Sequence, residues 1–380
     1  MNTEIVKGFR DYVGEEAEKR QAIKKILIET FEKYGFEPAE TPVVESEEFV
    51  KGENKEDEAV SDIYKLEDKG KRKLALRYEF TFQLKRIANN MKLPFRRYQI
   101  GEVFRDEPSS TRRFRQFTQC DIDVVGSTIK DEAEILFLAS EVLKKIGVKS
   151  TILINNRKLL NEILESEGIK EKDRKNVLTE IDKFDKISEK GILVNLKKYK
   201  AEKILSLLKK GEDYFKKFES YKEILELIKY CNYYGVKVLF SPTIIRGLSY
   251  YDGSIFEIKS EGIRETICGG GSYKVNGVQS AGISFGLDRL AMISEIKSDS
   301  EKYLVISLDE DKTAISVAEK LREKGNNVVM FYGKPSRALE YANSYKINKV
   351  VFVGETEVKE KKFKVKDMAS GRTSELKFSK

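Results

Sequence analysis

A chain of 380 residues with 40% hydrophobic and 35% charged residues has the apolar content for two or three cored domains beneath a heavily charged surface. Its net charge of +8 permits a polyanionic partner without demanding one. The chain contains no histidine, which excludes Ser-His-Asp and Cys-His catalysis, histidine-ligated metals and histidine proton shuttling, and leaves chemistry to carboxylates, Arg, Lys, Tyr, backbone donors or a borrowed metal ion.

No apolar run is long enough for a membrane span, and MNTEIVKGFRDY has no apolar signal core, so a soluble cytoplasmic protein is expected. Cys120, Cys231 and Cys268 show no paired spacing, which fits a reducing compartment and argues against a zinc knuckle.

In chain order, EAEKRQAIKKILIETFEKY (16–34) has helical spacing at Ile23, Ile26, Leu27, Phe31 and Tyr34, with Gly35 as a stop. FEPAETPVVE reads as an extended segment that Pro38 and Pro42 confine to an edge or irregular path. Residues 49–61 are polar and acidic and read as a mobile loop. IYKLED and KLALRYEF read as a hairpin, and TFQLKRIANNM as a short helix. RRYQIGEVFRD and RQFTQCDIDVVG alternate as two strands joined by EPSSTRRF, opening an antiparallel sheet that the helix DEAEILFLASEVLKKIG covers. From 151 to 240, Lys- and Glu-rich amphipathic helices read as a helical insertion. Strands resume at VKVLFS and continue through RGLSYYDGSIFEIKS and ETICGGGSYK to GISFGLDRLAMI, which passes from strand into helix. A second boundary falls at SEIKSDSEK. Beyond it, YLVISL, NNVVMFY and KVVFVG alternate with two helices, implying a small α/β domain with a largely parallel sheet, then a strand pair around ASGRT. No repeat, Walker loop or strand–GxGxxG–helix context is present.

Four stretches carry candidate chemistry. FRDEPSSTRRFRQF holds four arginines among Phe104, Phe114 and Phe117, and six arginines lie between Arg96 and Arg115. Arginine forks with aromatic faces suit a nucleoside triphosphate; a basic hairpin face for RNA explains the same residues, and the hairpin alone leaves both open. In IIRGLSYYDG, Arg246 at the edge of a buried strand needs either a structural carboxylate or an anionic substrate. Tyr250 and Tyr251 face opposite ways, so only one shares a given pocket. The glycines of CGGGSYK clear space for a ligand or a backbone. SFGLDRLAMI places Arg289 at the start of an apolar helix, where a lone arginine is ordinarily surface.

The order of these stretches resembles the histidyl-tRNA synthetase family of class II aminoacyl-tRNA synthetases over nearly the whole chain. KGFRDY is similar to the family's KGxRDF opening, FEPAETPVVE to motif 1, FRDEPSSTRRFRQFTQCDIDVVG to motif 2 and GISFGLDRL to motif 3. RGLSYY and GGGSY resemble the two histidine-specific signatures, and the last domain an anticodon-binding fold. The fold implied is an α+β catalytic core with an antiparallel sheet (1–150 and 241–296), a helical insertion (151–240) and a C-terminal α/β anticodon-binding-like domain (301–380).

The resemblance implies activation of L-histidine with ATP and Mg²⁺, transfer to tRNA(His), and a homodimer. It places Arg105 on the α-phosphate, Glu107 on the adenine amino group and Phe117 on the adenine face. Arg113 and Arg289 go to the β- and γ-phosphates, with Arg246 acting beside Arg105 in catalysis. Glu79, Thr81, Gln119, Asp123, Arg246, Tyr250, Tyr251 and Tyr273 are expected around histidine, Glu79 and Gln119 at its ammonium, Asp123 and Tyr273 at its imidazole. No protein-held metal is implied. The chain departs from the family at Tyr78 (LRPE is usual), Arg112 (a motif 2 glycine), Ser249 (often aspartate), and Ser272 and Lys274 (GGGRYD). Asp106 and Thr118 stand where relatives often carry histidine. Two other readings are a non-catalytic paralogue such as the regulatory subunit of ATP phosphoribosyltransferase, and a basic RNA-binding module. Retention of Arg105, Arg113, Arg246, Arg289 and a tail domain weighs against the first, and the acids Glu79, Glu107 and Asp123 against the second.

Overall fold

The first apolar-periodic segment forms a 20-residue helix, α1 (Gly14–Lys33), in a computed structural model that describes residues 3–52, 62–110, 113–185, 187–245, 251–296 and 301–376. Glu15 and Glu16 occupy its first turn and Lys33 its last, as the helix dipole favours. Gly35 turns the chain out at φ +73° into β1 (Glu37–Pro38), which stays at the sheet edge because proline lacks a ladder donor.

After β2 (Val44–Ser46) comes a short helix, α2 (Glu47–Lys51), where the sequence suggests only loop. Ser46 Oγ caps it by accepting from Phe49 N at 3.2 Å. The rest of that expected loop, 53–61, lies outside the described residues. The expected hairpin forms from β3 (Lys65–Glu67) and β4 (Lys73–Leu76), and β2 joins it in a separate 3-stranded sheet. Helix α3 (Thr81–Ala88) leads to the two long strands β5 (Phe95–Phe104) and β6 (Gln116–Val125), antiparallel from Phe95↔Val125 to Phe104↔Gln116. Helix α4 (Ile129–Lys145) starts where Thr128 N donates to Asp131 Oδ2 at 2.8 Å.

The 151–240 segment opens differently from the helical reading. Its β-branched apolar run, between Gly147 and the cap Asn156, forms strand β7 (Ser150–Asn156) of the main sheet. Helices α5 (Arg157–Ser166), α6 (Glu171–Ile181), α7 (Glu189–Lys197), α8 (Glu202–Leu208) and α9 (Tyr221–Tyr233) follow, then β8 (Val238–Phe240), parallel to β7. Strands β9 (Tyr251–Ser260), β10 (Ile263–Val275) and β11 (Val278–Gly286) complete the sheet, and β11 passes directly into α10 (Leu287–Ile293).

The resulting 8-stranded sheet has the order β1-β5-β6-β11-β10-β9-β7-β8 and is antiparallel except at its two edge pairs. Ile23, Leu27 and Phe31 of α1 and Ile135 and Val142 of α4 pack against Cys120, Ile122 and Val124 of β6. Phe31 stacks obliquely on Tyr98 of β5 and Phe285 of β11, at 5.6 and 5.7 Å between ring centroids. Leucines and isoleucines from α5 to α9 enter this same core. All three cysteines are buried in it, and burial raises each thiol pKa.

Met1–Ile296 form one compact unit and Lys297–Lys380 a second. In the second, β12 (Lys302–Ser307), α11 (Asp311–Glu323), β13 (Asn327–Tyr332), α12 (Pro335–Ser344) and β14 (Lys349–Val353) give the expected parallel β12 pairings. A short helix not expected from sequence, α13 (Glu355–Glu360), intervenes where Glu357 Oε2 accepts from Gly354 N at 3.2 Å. β15 (Phe363–Asp367) and β16 (Thr373–Leu376) then add antiparallel strands to a 5-stranded sheet, order β13-β12-β14-β15-β16.

Phe31→Ala is expected to destabilise the first unit by about 3–5 kcal/mol, because the ring joins α1 to two strands. Denaturant unfolding measures this, and a loss below about 1 kcal/mol would show that α1 is anchored elsewhere.

Candidate active site

Alternation along β6 builds the site. Cys120, Ile122 and Val124 point into the core, so Gln119, Asp121 and Asp123 share the opposite face. Register supplies their neighbours: Arg97 and Gly282 flank Asp123, Gln99 and Ser284 flank Asp121, and Gly101 and Gly286 flank Gln119.

Asp123 is 4% exposed and Arg97 1%, and their charges approach to 2.8 Å. Arg97 lies off the hydrogen-bonding direction of Asp123 Oδ2, which accepts no directed bond from it. Tyr273 donates its hydroxyl to Asp123 Oδ1. Burial pushes the Asp123 pKa up, while Arg97 and Tyr273 pull it down; burial and the facing Asp123 charge hold the Tyr273 pKa well above its ordinary value. A side chain at Gly282 would collide with Asp123 Oδ1, which explains a glycine there. Tyr251 meets Tyr273 edge-on at 6.3 Å.

Glu79, Thr81, Gln119, Asp123, Tyr251 and Tyr273 therefore line one small cavity of about 50 Å³. It adjoins a larger cleft, about 170 Å³, lined by Arg105, Glu107, Arg113, Phe117, Gln119 and Arg289. Arg105, Gln119, Gly269 and Ser284 belong to both, so the two cavities share a wall. The sequence-predicted residues divide between them, except Arg246 and Tyr250, which lie outside the described residues, as does Arg112.

The Arg105 guanidinium lies 4.2 Å from the Tyr78 ring centroid and 5.1 Å from that of Phe117. Cation–π attraction to both rings aims its fork into the cleft. Glu107 is nearly buried and pairs with the half-exposed Arg113. Arg289 is steered by donating to Thr266 O at 2.6 Å. Arg115 N donates to Gly8 O at 2.8 Å, and a Cβ at Gly8 would come within 2.7 Å of Arg115 Cδ, so the opening KGFRD packs on this hairpin.

Sequence reasoning missed the support beneath Arg289. The neighbouring Asp288 accepts from Arg20 Nη1 at 2.8 Å, Tyr12 Oη at 2.6 Å and Thr118 N at 2.8 Å. Arg20 Nη2 also donates to Thr118 Oγ1 at 2.9 Å, and its guanidinium lies 3.8 Å from the Tyr12 ring centroid. Burial first, then the Asp288 bond, raises the Tyr12 pKa, so Tyr12 stays a neutral donor. Arg97, Asp121 and Ser284 were missed as well. Period-two spacing in QCDIDVV signals Asp121, whereas Arg97 and Ser284 depend on cross-strand register.

A cation-lined cleft sharing a wall with an acid-lined pocket suits the joining of an amino acid to a nucleotide phosphate. Enzymes that do this on an antiparallel sheet with α+β architecture are the class II aminoacyl-tRNA synthetases. A histidyl-tRNA synthetase family model matches residues 8–290, and an anticodon binding domain model matches 302–380; the chain belongs to the histidyl-tRNA synthetase family. Histidine–tRNA ligase 1 of Bacillus cereus is 34% identical, over 98% of this chain and 97% of that protein. Histidine–tRNA ligase of Clostridium acetobutylicum is 33% identical over 98% and 97%. The crystal structure of histidyl-tRNA synthetase from Nostoc sp. PCC 7120 superposes with a TM-score of 0.85 at 28% identity, covering 99% of this chain and 97% of that one. A Bacillus halodurans C structure described as an ATP phosphoribosyltransferase regulatory subunit/histidyl-tRNA synthetase shares the fold, with a TM-score of 0.76 at 22% identity over 92% and 98%.

Asp288→Ala leaves Arg20 as an uncompensated charge at a site where both side chains are under 10% exposed. A stability loss of about 3–5 kcal/mol is expected in denaturant unfolding. A loss below about 1 kcal/mol would show that Tyr12 and Thr118 hold Arg20 without the carboxylate.

Proposed function

We propose that this chain activates L-histidine with ATP to histidyl-adenylate and pyrophosphate, then passes the histidyl group to the terminal ribose of tRNA(His), releasing AMP. The carrying observation is the pairing of Asp123 with Tyr273 in a buried, acid-lined pocket that opens onto an arginine cleft. An imidazole seated there replaces the Tyr273–Asp123 bond, giving its N–H to the carboxylate and accepting the tyrosine hydroxyl on its other nitrogen. An apolar isostere would have to separate the two groups without pairing either, which is the basis for rejecting it.

In this reading, Glu79, Thr81 and Gln119 take the α-ammonium, while Tyr251 closes the imidazole side. Phe117 stacks on adenine and Glu107 accepts from its amino group, so Glu107 exchanges its bond to Arg113 for one to ATP. Arg113 and Arg289 then take the β- and γ-phosphates. Arg105 and Arg246 stabilise charge on the α-phosphate as the histidine carboxylate attacks and pyrophosphate leaves. Positioning and electrostatics suffice for this displacement, which uses no covalent nucleophile.

Mg²⁺ enters with ATP as part of the substrate. Among the described residues no group of three acidic or thiol side chains is arranged to hold a metal, and this ion binds through phosphates, its own waters and one or two carboxylates. Catalysis belongs to 1–150 with 241–296, and the 151–240 helices form an insertion. The 301–380 domain reads the tRNA anticodon, as its family match supports. The enzyme works as a cytoplasmic homodimer. Among the described residues no helix is long and apolar enough to cross a membrane.

ATP–pyrophosphate exchange assayed with each of the twenty amino acids is expected to depend on L-histidine. Exchange with another amino acid would overturn the specificity, and none at all would favour the non-catalytic paralogue. Arg246→Ala should lower the adenylation rate by about a hundredfold or more, with a much smaller effect on ATP affinity. An unchanged single-turnover rate would remove Arg246 from catalysis.

A further inference from the structure

One acid in the amino-acid pocket has no part in the mechanism above. Asp121 lines the small cavity on the same face of β6 as Gln119 and Asp123, and is 6% exposed. Gln119 Nε2 donates to Ser284 Oγ at 2.6 Å and lies 3.5 Å from Asp121 Oδ1. Ser284 and Asp121 thus flank the same amide nitrogen. Both attachments hold the amide nitrogen of Gln119. Its carbonyl oxygen is buried and accepts no hydrogen bond within the protein, on a residue 8% exposed.

A carboxylate only accepts hydrogen bonds, so an ionised Asp121 forces Gln119 to turn its NH₂ toward it and its oxygen toward the ligand. A protonated Asp121 can donate, which removes that constraint and permits the flipped amide, whose NH₂ would face an ammonium. We propose that Asp121 is a positioning residue: together with Ser284 it holds the amide nitrogen of Gln119, so that the Gln119 carbonyl oxygen is aimed at the α-ammonium of the amino-acid substrate. This rests on the histidine reading of the pocket.

The surroundings fit a proton-coupled role. Burial, then the charge of Asp123, raises the Asp121 pKa to about 7. Arg97 on β5 opposes the rise, and Glu79 ahead of α3 adds to it. Arg105 lies at the shared wall, Tyr251 and Tyr273 face in from β9 and β10, and β11 contributes the neutral Ser284. The empty pocket thus holds a protonated Asp121 below about pH 7. An arriving ammonium favours the carboxylate, a proton leaves to solvent, and affinity rises as pH rises through that value.

Calorimetric titration of L-histidine into wild type and Asp121→Asn, near pH 6 and near pH 8 in buffers of different ionisation enthalpy, tests this. Comparing the two proteins cancels proton exchange by the ligand's own imidazole. The variant is expected to bind about tenfold more weakly near pH 8, with a smaller gap near pH 6 and without the extra proton release. In exchange assays KM for histidine should rise more than kcat falls, with KM for ATP unchanged. Wild-type affinity and proton release in Asp121→Asn would overturn the inference while leaving the histidine reading intact; a wild type that binds no histidine would overturn both. Should Asp121→Asn fail to fold, Ser284→Ala carries the test: weaker histidine binding with proton release retained supports the anchor, and unchanged binding overturns it.

Discussion

A carboxylate taken out of water must find a compensating charge or hydrogen bonds, or it loses its own charge. In the main sheet that requirement falls on Asp123, and the surrounding geometry answers it. Arg97 is brought opposite by the β5–β6 register, Tyr273 reaches across from β10, and Gly282 leaves room for the carboxylate. Arg97 is in turn held by the Phe80 carbonyl at 3.1 Å, immediately after Glu79. One buried pair therefore links the acid at the centre of the pocket to the loop carrying the acid at its rim.

The cation side of the site follows a different rule. Its arginines reach partly into solvent and are aimed by rings and carbonyls: Tyr78 and Phe117 around Arg105, Thr266 O for Arg289, and Glu107 for Arg113. Tyr78, a departure from the usual proline, supplies one of the two faces that hold Arg105. Buried Asp288 and Arg20 stand behind Arg289, joining the start of α10 to α1 and β6. A rigid acid pocket beside re-pairable arginines suits an enzyme that selects one small ligand and then releases a polyphosphate.

Much of this is legible in the sequence. Helical spacing marks α1, and alternation marks β5, β6 and the C-terminal strands. Motif order brings the expected site residues, Arg246 and Tyr250 aside, into two adjoining cavities. Local pattern fails where a single hydrogen bond decides the outcome, at the Ser46 cap of α2 and the Glu357 reach-back of α13. It fails also where an apolar strand opens a helical stretch, at β7. Arg97, Ser284 and Arg20 act through register and tertiary reach, which neighbouring residues do not encode. Ser272, where the family pattern has arginine, is read only in place: it is buried on β10 and accepts from Gln279 Nε2 at 3.0 Å.

Thr118 joins this framework by accepting from Arg20 with its hydroxyl and donating its backbone N–H to Asp288. The contact asks only for a small acceptor at that point of β6, and a threonine meets it where relatives often carry histidine. These 380 residues are thus assembled by the ribosome without drawing on the aminoacyl-tRNA that the family makes. The supply of the catalyst is uncoupled from the supply of its product.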